Sequence, residues 1–316
     1  SRVSYVMMHP EGAQEMTNVI RAALNDLFKN VAKQVKAKVE DILEITLVAN
    51  PIMHHLLLGI NPVELGGAPF ALTTDTAVEM PARELDLQIN HGGRIYILPC
   101  IAGHVGADTA GVILSEEPQQ QKAMTLLVDV GTNAEIVLGD KNRLLACSSP
   151  TGPAFEGAQI SAGQRAAAGA IERVRIDPDT LVARFKVIGS DLWSDEPGFI
   201  EETSKFGVTG ICGSGIIEVV AEMYLSGIVT VDGIIDGELA SRSPLVVADG
   251  RTWSYVLYQS DLTENQAPIL VTQNDIRQIQ LAKAALYAGV KLLMDKLDID
   301  HVDRIRLAGA FGSHIN

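Results

Sequence analysis

An aspartate followed by a glycine-threonine turn is the feature of this sequence with the clearest chemical meaning. Residues 125–128 form an apolar run, and Asp129 follows it, ahead of Gly131, Thr132 and Asn133. A second apolar run comes next, so the pattern predicts a strand, a tight turn and another strand. A carboxylate there can hold hydrated Mg²⁺ beside phosphates while the turn amides face the phosphate oxygens. Alone, however, the pattern is more often an ordinary hairpin turn.

Two glycine-containing segments suit other parts of a bound ligand. Residues 309–312 follow a predicted strand, and their small side chains would let the backbone approach a purine and its ribose. A structural turn is an equally good interpretation of them. Residues 210–215 open a predicted helix, where free amides near Gly213 and Ser214 suit an anion or a sugar hydroxyl. Their glycine spacing differs from that of a dinucleotide-binding fingerprint.

Asp108 lies where a predicted strand, residues 93–99, passes into a predicted helix, residues 108–114. This is the usual position of ligand sites in open α/β sheets, so the carboxylate is a candidate for orienting or activating a water molecule. Aspartate is also a preferred N-cap, and the local pattern favours that structural role. Both roles can coexist in one residue.

Other chemically capable positions are better explained by packing. His54 and His55 are adjacent, so they cannot share one helix face as a helical metal pair would. For His104 the sequence favours a buried, hydrogen-bonded histidine, although contact with a ligand stays open. Cys212 is more simply a small buried residue than a reactive thiol.

Hydrophobic periodicity predicts the elements that must position these residues. Helical spacing indicates helices at residues 12–39, 53–58, 108–114, 215–225 and 275–297. Buried strands are expected at residues 45–49, 93–99, 125–128, 134–138 and 304–308. Thr272 is the expected N-cap of the last helix, with Asp275 in capping-box position.

Composition indicates the class of protein. A chain of 316 residues with 47% hydrophobic content is long enough for two domains. The formal net charge of −14 argues against nucleic acid or an anionic membrane as the main partner, because phosphate groups repel such a surface. No apolar run reaches the roughly 18 residues that a membrane helix needs.

Cys100, Cys147 and Cys212 fit neither zinc-ligand spacing nor a disulfide framework, so we expect a cytoplasmic protein.

The order of these motifs resembles that of one known family. From Ser1 almost to Asn316, the sequence is similar to the ATPase domain of the reductive activators of corrinoid proteins. That family belongs to the superfamily of acetate and sugar kinases, heat-shock chaperones and actin. The matching stretches are residues 1–5, 50–55, 99–108, 129–133, 152–158, 210–215, 272–277, 280–283 and 307–315.

The resemblance implies an α/β, two-lobed, actin-like and sugar-kinase-like ATPase fold with mixed sheets flanked by helices. The first lobe would span residues 1–122, and the second would span residues 123–316 with the phosphate-2 and adenosine motifs. By resemblance, Asp129, with Gly131, Thr132 and Asn133, forms the second phosphate motif, and Asp129 is the Mg²⁺ ligand.

Other nucleotide-binding residues are also implied by the resemblance. Gly309, Ala310 and Phe311 fall on the adenosine motif. Gln280 and Lys283 fall on the helix that borders the base or ribose in relatives, although a solvated helix face would explain them equally well. By analogy, Asp108 is similar in placement to the catalytic base of some sugar kinases.

The sequence departs from the family pattern in two respects. The first phosphate motif, an Asp-Ile-Gly-Thr-Thr hairpin, has no counterpart here, and Ser1 falls just downstream of its expected position. The ferredoxin-like domain that carries a 2Fe–2S cluster in these activators is also absent. Three scattered cysteines cannot supply four cluster ligands, so a cluster is expected only in a missing amino-terminal domain.

The function implied by the resemblance is reductive activation. ATP and Mg²⁺ would bind between the lobes, and hydrolysis would drive electron transfer from the iron–sulfur domain to the cobalt(II) of a corrinoid protein. A homodimer is one assembly left open. Two other classes also fit the general motifs: a small-molecule kinase, in which Asp108 deprotonates a substrate hydroxyl, and a non-catalytic, nucleotide-gated binding module.

Overall fold

The first part of the chain builds a small sheet covered by helices. The protein is described by a computed structural model over residues 2–259, 267–309 and 312. Its first elements are α1 (Arg2–Met8), α2 (Gly12–Gln34), β1 (Glu44–Leu47), α3 (Pro51–Leu57), β2 (Val78–Pro81), β3 (Arg94–Ile97) and α4 (Ala107–Glu116). Strand β3 is central, parallel to β1 and antiparallel to β2, so the sheet is mixed.

This sheet is held to α2 and α3 by an apolar core. Strand β3 alternates between exposed and buried positions, which puts Ile95 and Ile97 on the face that packs against the helices. Phe28 of α2 and Leu57 of α3 belong to the same buried cluster. Helix α3 begins after Asn50, whose side chain accepts a hydrogen bond from Met53 N at 3.0 Å and caps the first turn.

The middle and last parts of the chain hold the remaining elements. These are β4 (Thr125–Val130), β5 (Ala134–Gly139), β6 (Leu144–Ser149), β7 (Ala170–Ile176), β8 (Ala183–Val187), α5 (Phe199–Thr203), β9 (Gly210–Ile211), α6 (Gly213–Leu225), β10 (Val246–Asp249), β11 (Thr252–Tyr258), β12 (Ile269–Thr272), α7 (Gln273–Leu297) and β13 (Arg304–Ala308). They form a sheet in the order β13-β4-β5-β6, a mixed sheet β8-β7-β9 and an antiparallel sheet β10-β11-β12.

By its contacts the chain divides into two compact units. The first comprises Ser1–Leu127, Val137–Ser148 and His301–Ile305, and the second comprises Val128–Ile136, Ser149–Asp300 and Arg306–Asn316. The units therefore alternate along the sequence. The single boundary expected after residue 122 stays a prediction.

Helix α7 connects several parts of the second unit. Thr272 and Asp275 form the predicted capping box, and the buried Asp275 carboxylate also accepts a hydrogen bond from Ser161 N at 2.8 Å. Further along, Ser149 Oγ of β6 donates to Ala285 O at 2.6 Å. A Cβ on Gly289 would lie 2.6 Å from the Ile136 side chain of β5, so the helix lies close against that strand.

Many of the predicted elements are confirmed, with corrected ends. The predicted helices 12–39 and 275–297, the hairpin and the strand 304–308 are all present. Helix α2 ends earlier than expected, because Val35 closes the last turn and Lys36 is left-handed, with φ 56°. Strands β7 and β11 were not predicted from the sequence.

The capping box of α7 makes a quantitative prediction. Thr272→Ala should lower the free energy of unfolding by about 1 kcal/mol, the usual cost of one lost N-cap. Asp275→Ala should cost about 3 kcal/mol, because it also removes the buried carboxylate that accepts from Ser161 N and from Thr272 N. Urea unfolding followed by circular dichroism measures both values. Equal losses for the two variants would contradict a special anchoring role for Asp275.

Candidate functional site

The turn between β4 and β5 presents the residues predicted to bind phosphate. Asp129 is half-buried, one residue before the end of β4. Gly131 N donates to Asn133 O at 2.9 Å and closes the turn. Thr132 and Asn133 are exposed at its tip. The strand-turn-strand prediction is therefore confirmed, with a carboxylate at the base of an exposed turn.

The structure brings Asp129 together with Gly309, although the two residues are far apart in sequence. Strand β13 lies next to β4 in the sheet, and Gly309 directly follows β13. A Cβ on Gly309 would lie only 2.6 Å from Asp129 Oδ1, and the φ of Gly309 is +79°. Both the close approach and the left-handed backbone require glycine there. Ala310 and Phe311, also predicted as site residues, lie outside the described residues.

Two residues at this turn were not singled out from the sequence. Thr151, which is 5% exposed, lies 2.9 Å from Gly131 O and 3.1 Å from Thr132 O through its hydroxyl oxygen. The Glu156 carboxylate accepts a hydrogen bond from Thr132 Oγ1 at 2.7 Å. Glu156 lies within the family-like stretch 152–158, which was the only signal that could have pointed to it.

Gly213 and Ser214 begin α6, as predicted, but close packing accounts for much of their surroundings. Gly213 is buried, and a Cβ on the neighbouring Gly215 would lie 2.2 Å from Ile171 O of β7. Cys212, only 2% exposed, points its thiol at the same carbonyl oxygen at 3.2 Å. The interpretation of Cys212 as a small buried residue is thereby confirmed. A ligand-binding role for Gly213 and Ser214 stays a prediction.

Gln280 contacts a loop, and Lys283 is exposed. Gln280 Nε2 donates to Asp232 O at 3.4 Å, and a Cβ on Gly233 would lie 2.0 Å from that nitrogen. Gln273, also in α7, donates to Gly233 O at 2.6 Å and accepts from Ile235 N at 2.9 Å. The two glutamines of α7 therefore bind the loop at residues 232–235. Contact of Gln280 or Lys283 with a nucleotide stays a prediction.

Asp108 lies in the first turn of α4 but is not its N-cap. Gly106 occupies the N-cap position, so the N-cap interpretation of Asp108 is wrong. Ala107 N and Asp108 N both donate to Ala49 O, at 2.9 and 3.4 Å, and the N-cap lies two residues earlier than expected. Burial raises the pKa of the Asp108 carboxyl, while a hydrogen bond from Thr109 N at 2.9 Å opposes that shift.

His54 and His55 are buried in the first unit, whereas His104 is exposed. His55 Nδ1 lies 2.8 Å from Pro51 O, and its Nε2 accepts from Thr73 N at 3.0 Å, so Nδ1 carries the proton. Burial lowers the pKa of both His54 and His55, which favours the neutral form of each imidazole. Their packing role is confirmed. The interpretation of His104 as buried is wrong, because its side chain is exposed. Its ring centroid lies 4.3 Å from that of Phe70.

The cysteines do not fit an iron–sulfur cluster. Cys100 follows β3, Cys147 lies in β6 and Cys212 precedes α6. Burial raises the pKa of the Cys100 thiol to about 11, which disfavours the thiolate that a cluster needs. Within residues 2–259, 267–309 and 312, no group of three or more His, Cys, Asp or Glu side chains could hold a metal ion. In the same residues, no helix is long and apolar enough to cross a membrane.

Comparison with known proteins finds similarity to one family along nearly the whole chain. Residues 123–316 match a family model described as the C-terminal domain of RACo, the ASKHA domain, and residues 1–121 match the RACo middle region. The corrinoid activation enzyme RamQ of Eubacterium limosum is 32% identical over 323 aligned residues, covering 100% of this chain and 51% of RamQ. The [Co(II) methylated amine-specific corrinoid protein] reductase of Methanosarcina barkeri is 31% identical over 142 residues, which are 43% of this chain and 26% of the reductase.

A solved structure is similar in fold. It is named reductive activator for corrinoid, iron–sulfur protein, and it superposes with a TM-score of 0.81 and 31% identity over 98% of this chain and 47% of its own. The predicted α/β, actin-like fold with mixed sheets flanked by helices is confirmed. The chain spans about half the length of RamQ and of the solved activator.

The environment of Asp108 predicts a pH-dependent stability difference. An unfolded aspartate ionises near pH 3.8, whereas the folded group does so at higher pH, so its ionisation costs folding free energy across that window. Asp108→Asn should therefore gain stability over the wild type as the pH rises from about 4 to 7, measured by urea unfolding.

The exposed Asp75→Asn is the control for loss of one negative charge. A difference between Asp108→Asn and the wild type that stays constant over this pH range, or that shrinks as pH rises, would show that burial of Asp108 has no such cost.

Proposed function

The chain belongs to the RACo family of reductive activators of corrinoid proteins, and we propose that it is the ATP-dependent core of such an activator. ATP binding and hydrolysis in this chain would be coupled to reduction of cobalt(II) in a partner corrinoid protein. The electrons would come from a 2Fe–2S domain outside this segment, since the cysteines present do not fit a cluster. The relatives named as corrinoid activation enzyme and corrinoid protein reductase support this assignment.

The approach of Gly309 to Asp129 is the observation that carries the proposal. The two residues belong to the motifs expected for adenosine and for phosphate, and they lie within contact distance in the second unit. A carboxylate, exposed turn amides and a glycine with no side chain make a surface that an adenine nucleotide can approach closely. The space that a Cβ on Gly309 would fill is part of that surface.

Asp129 is the residue proposed to hold Mg²⁺, through a coordinated water. Mg²⁺ prefers oxygen ligands, keeps several waters, and often binds through one or two carboxylates plus the phosphates of a substrate. Asp129 supplies such a carboxylate at the base of the turn. When bound, the ion would neutralise charge on the phosphates. The chain's own contribution is to fix the carboxylate and to present the Thr132 and Asn133 amides, while Gly131 N closes the turn on Asn133 O.

Asp108 is proposed to orient the attacking water. Its burial raises its pKa, which brings a carboxylate closer to the range useful for proton transfer. Gln280, Lys283, Gly213 and Ser214 are proposed as further nucleotide contacts.

Coupling to the partner requires two nucleotide states that bind the corrinoid protein with different affinities. We propose a boundary after residue 122 between the parts that change relative orientation. A cytoplasmic location, a homodimer, and the absence of nucleic-acid and membrane partners complete the proposal. The net charge of −14 supports the last two points.

The decisive experiment uses the full-length protein that contains this chain. Candidate corrinoid proteins are mixed with it and a reductant, and loss of the cobalt(II) absorption is followed with ATP and without nucleotide. Loss that requires ATP is the expected result, because reduction of cobalt(II) is the step proposed to need coupling. If ATP adds nothing with any cognate corrinoid partner, the activator assignment is wrong.

The same preparation separates the two alternative classes. Phosphate release without an added acceptor is expected for an activator. A small-molecule kinase would release little inorganic phosphate under any condition and would form ADP and a phosphorylated product only when its acceptor is present, because Asp108 would act on a substrate hydroxyl. A nucleotide-gated binding module would bind ATP tightly and show no turnover.

Asp129→Asn tests the metal role directly. The amide has the shape of the carboxylate but no charge, so Mg²⁺-dependent ATP hydrolysis should fall about tenfold or more and need more Mg²⁺ for half-maximal rate. Asp179→Asn, an exposed change elsewhere in the second unit, is the matched control and should behave as the wild type. Unchanged hydrolysis and Mg²⁺ dependence in Asp129→Asn would remove Asp129 from the site.

A further inference from the structure

The carbonyl groups of the turn after Asp129 converge on one hydroxyl group. Thr151 Oγ1 lies 2.9 Å from Gly131 O and 3.1 Å from Thr132 O. A threonine hydroxyl has one proton, so it is shared between the two oxygens in a three-centre hydrogen bond. Thr151 is 5% exposed, and its own backbone is fixed by a bond from Thr151 N to Ser149 O at 2.9 Å. The hydroxyl is therefore held at a defined point behind the turn.

The position of these carbonyls dictates where the turn amides point. In a trans peptide, the C=O and the N–H of the same plane lie on opposite sides. The Gly131 carbonyl shares its plane with the Thr132 amide, and the Thr132 carbonyl shares its plane with the Asn133 amide. Because both carbonyls face Thr151, both N–H groups face the other way. Successive amides that point to one side form an anion-binding concavity.

These two amides are available to a ligand. No described residue accepts a hydrogen bond from Thr132 N or Asn133 N. Both residues are exposed, so the donors lie at the surface beside Asp129. Thr132 is held a second time, because its hydroxyl donates to Glu156 at 2.7 Å. The Thr151 hydroxyl thus holds the turn from its carbonyl side, and the Thr132 and Asn133 amides point the other way.

We propose that Thr151 is a positioning residue for phosphate binding: its hydroxyl holds the Gly131 and Thr132 carbonyls so that the Thr132 and Asn133 amides face the nucleotide phosphates. Thr151 does not touch the nucleotide and acts only through the turn. This inference rests on the proposed nucleotide-binding function and assigns a role that the sequence motifs do not contain. Without the hydroxyl, the two peptide planes can rotate, and the amides lose their common direction.

The test compares nucleotide affinities of three variants of the full chain. Thr151→Val keeps the shape of the side chain and removes the hydroxyl, whereas Thr151→Ser keeps the hydroxyl. Thr203→Val is the matched control, because Thr203 is also buried in the second unit and donates to a backbone carbonyl, Phe199 O, at 2.8 Å. MgADP and adenosine are the ligands, titrated by calorimetry or by competition with a labelled nucleotide.

Thr151→Val should bind MgADP about 3- to 10-fold more weakly than the wild type, in line with one lost neutral hydrogen bond. Its affinity for adenosine, which has no phosphate, should be unchanged. Thr151→Ser and Thr203→Val should bind MgADP within about twofold of the wild type. This pattern would separate positioning of the phosphate donors from a general effect on folding.

Other results would overturn the inference in recognisable ways. MgADP affinity equal to the wild type in Thr151→Val would show that the hydroxyl has no positioning role, with the nucleotide site intact. An equal loss for adenosine and MgADP, or the same loss in Thr151→Ser, would make Thr151 merely structural. If adenosine binds the wild type too weakly to measure, the MgADP affinities of Thr151→Ser and Thr151→Val are compared instead, and only the loss of the hydroxyl in Thr151→Val should weaken binding. Failure of the wild type to bind either ligand would remove the proposed function itself.

Discussion

The candidate site depends on one steric constraint, the contact between a glycine and a carboxylate. Strand β13 lies beside β4, and this order brings Gly309 against Asp129, where any side chain at position 309 would overlap Oδ1. Two motifs that are remote in sequence are thereby joined by a single sheet. Asp129 lies at the base of the hairpin, whereas the segment at Gly309 is remote from both in sequence, so the order of the strands in the sheet is what brings that segment to the carboxylate.

Sequence reasoning found the elements whose signals are local. The apolar runs around Asp129 predict the hairpin, and Thr272 with Asp275 predicts the start of α7, because each pattern lies within a few residues. The start of α4 was placed wrongly, since the carbonyl oxygen that accepts from Ala107 N belongs to Ala49, which lies nearly 60 positions earlier in the sequence. His104 was misjudged for a similar reason, because its ring partner, Phe70, lies on a distant loop.

The supports of the turn illustrate why the rest of the site was not predictable. A threonine hydroxyl bonded to carbonyl groups is common in proteins and has no sequence signature, so Thr151 looks like any polar residue after a strand. Glu156 is no more distinctive on its own. The family resemblance marked the stretch around Glu156 but gave no role to it, because a motif records which residues recur and not which atoms they hold. Only the folded structure shows that the Thr151 hydroxyl bonds two carbonyl groups of the turn and that Glu156 bonds the Thr132 hydroxyl.

Helix α7 gives the second unit a mechanical property. Its 25 residues make a rod about 37 Å long, which near one end is bonded to Ser161 and to the loop at residues 232–235, and further along lies against β5 and β6. A helix resists compression along its axis, so we expect a displacement of β5 or β6 to move the 232–235 loop as well, because α7 contacts both.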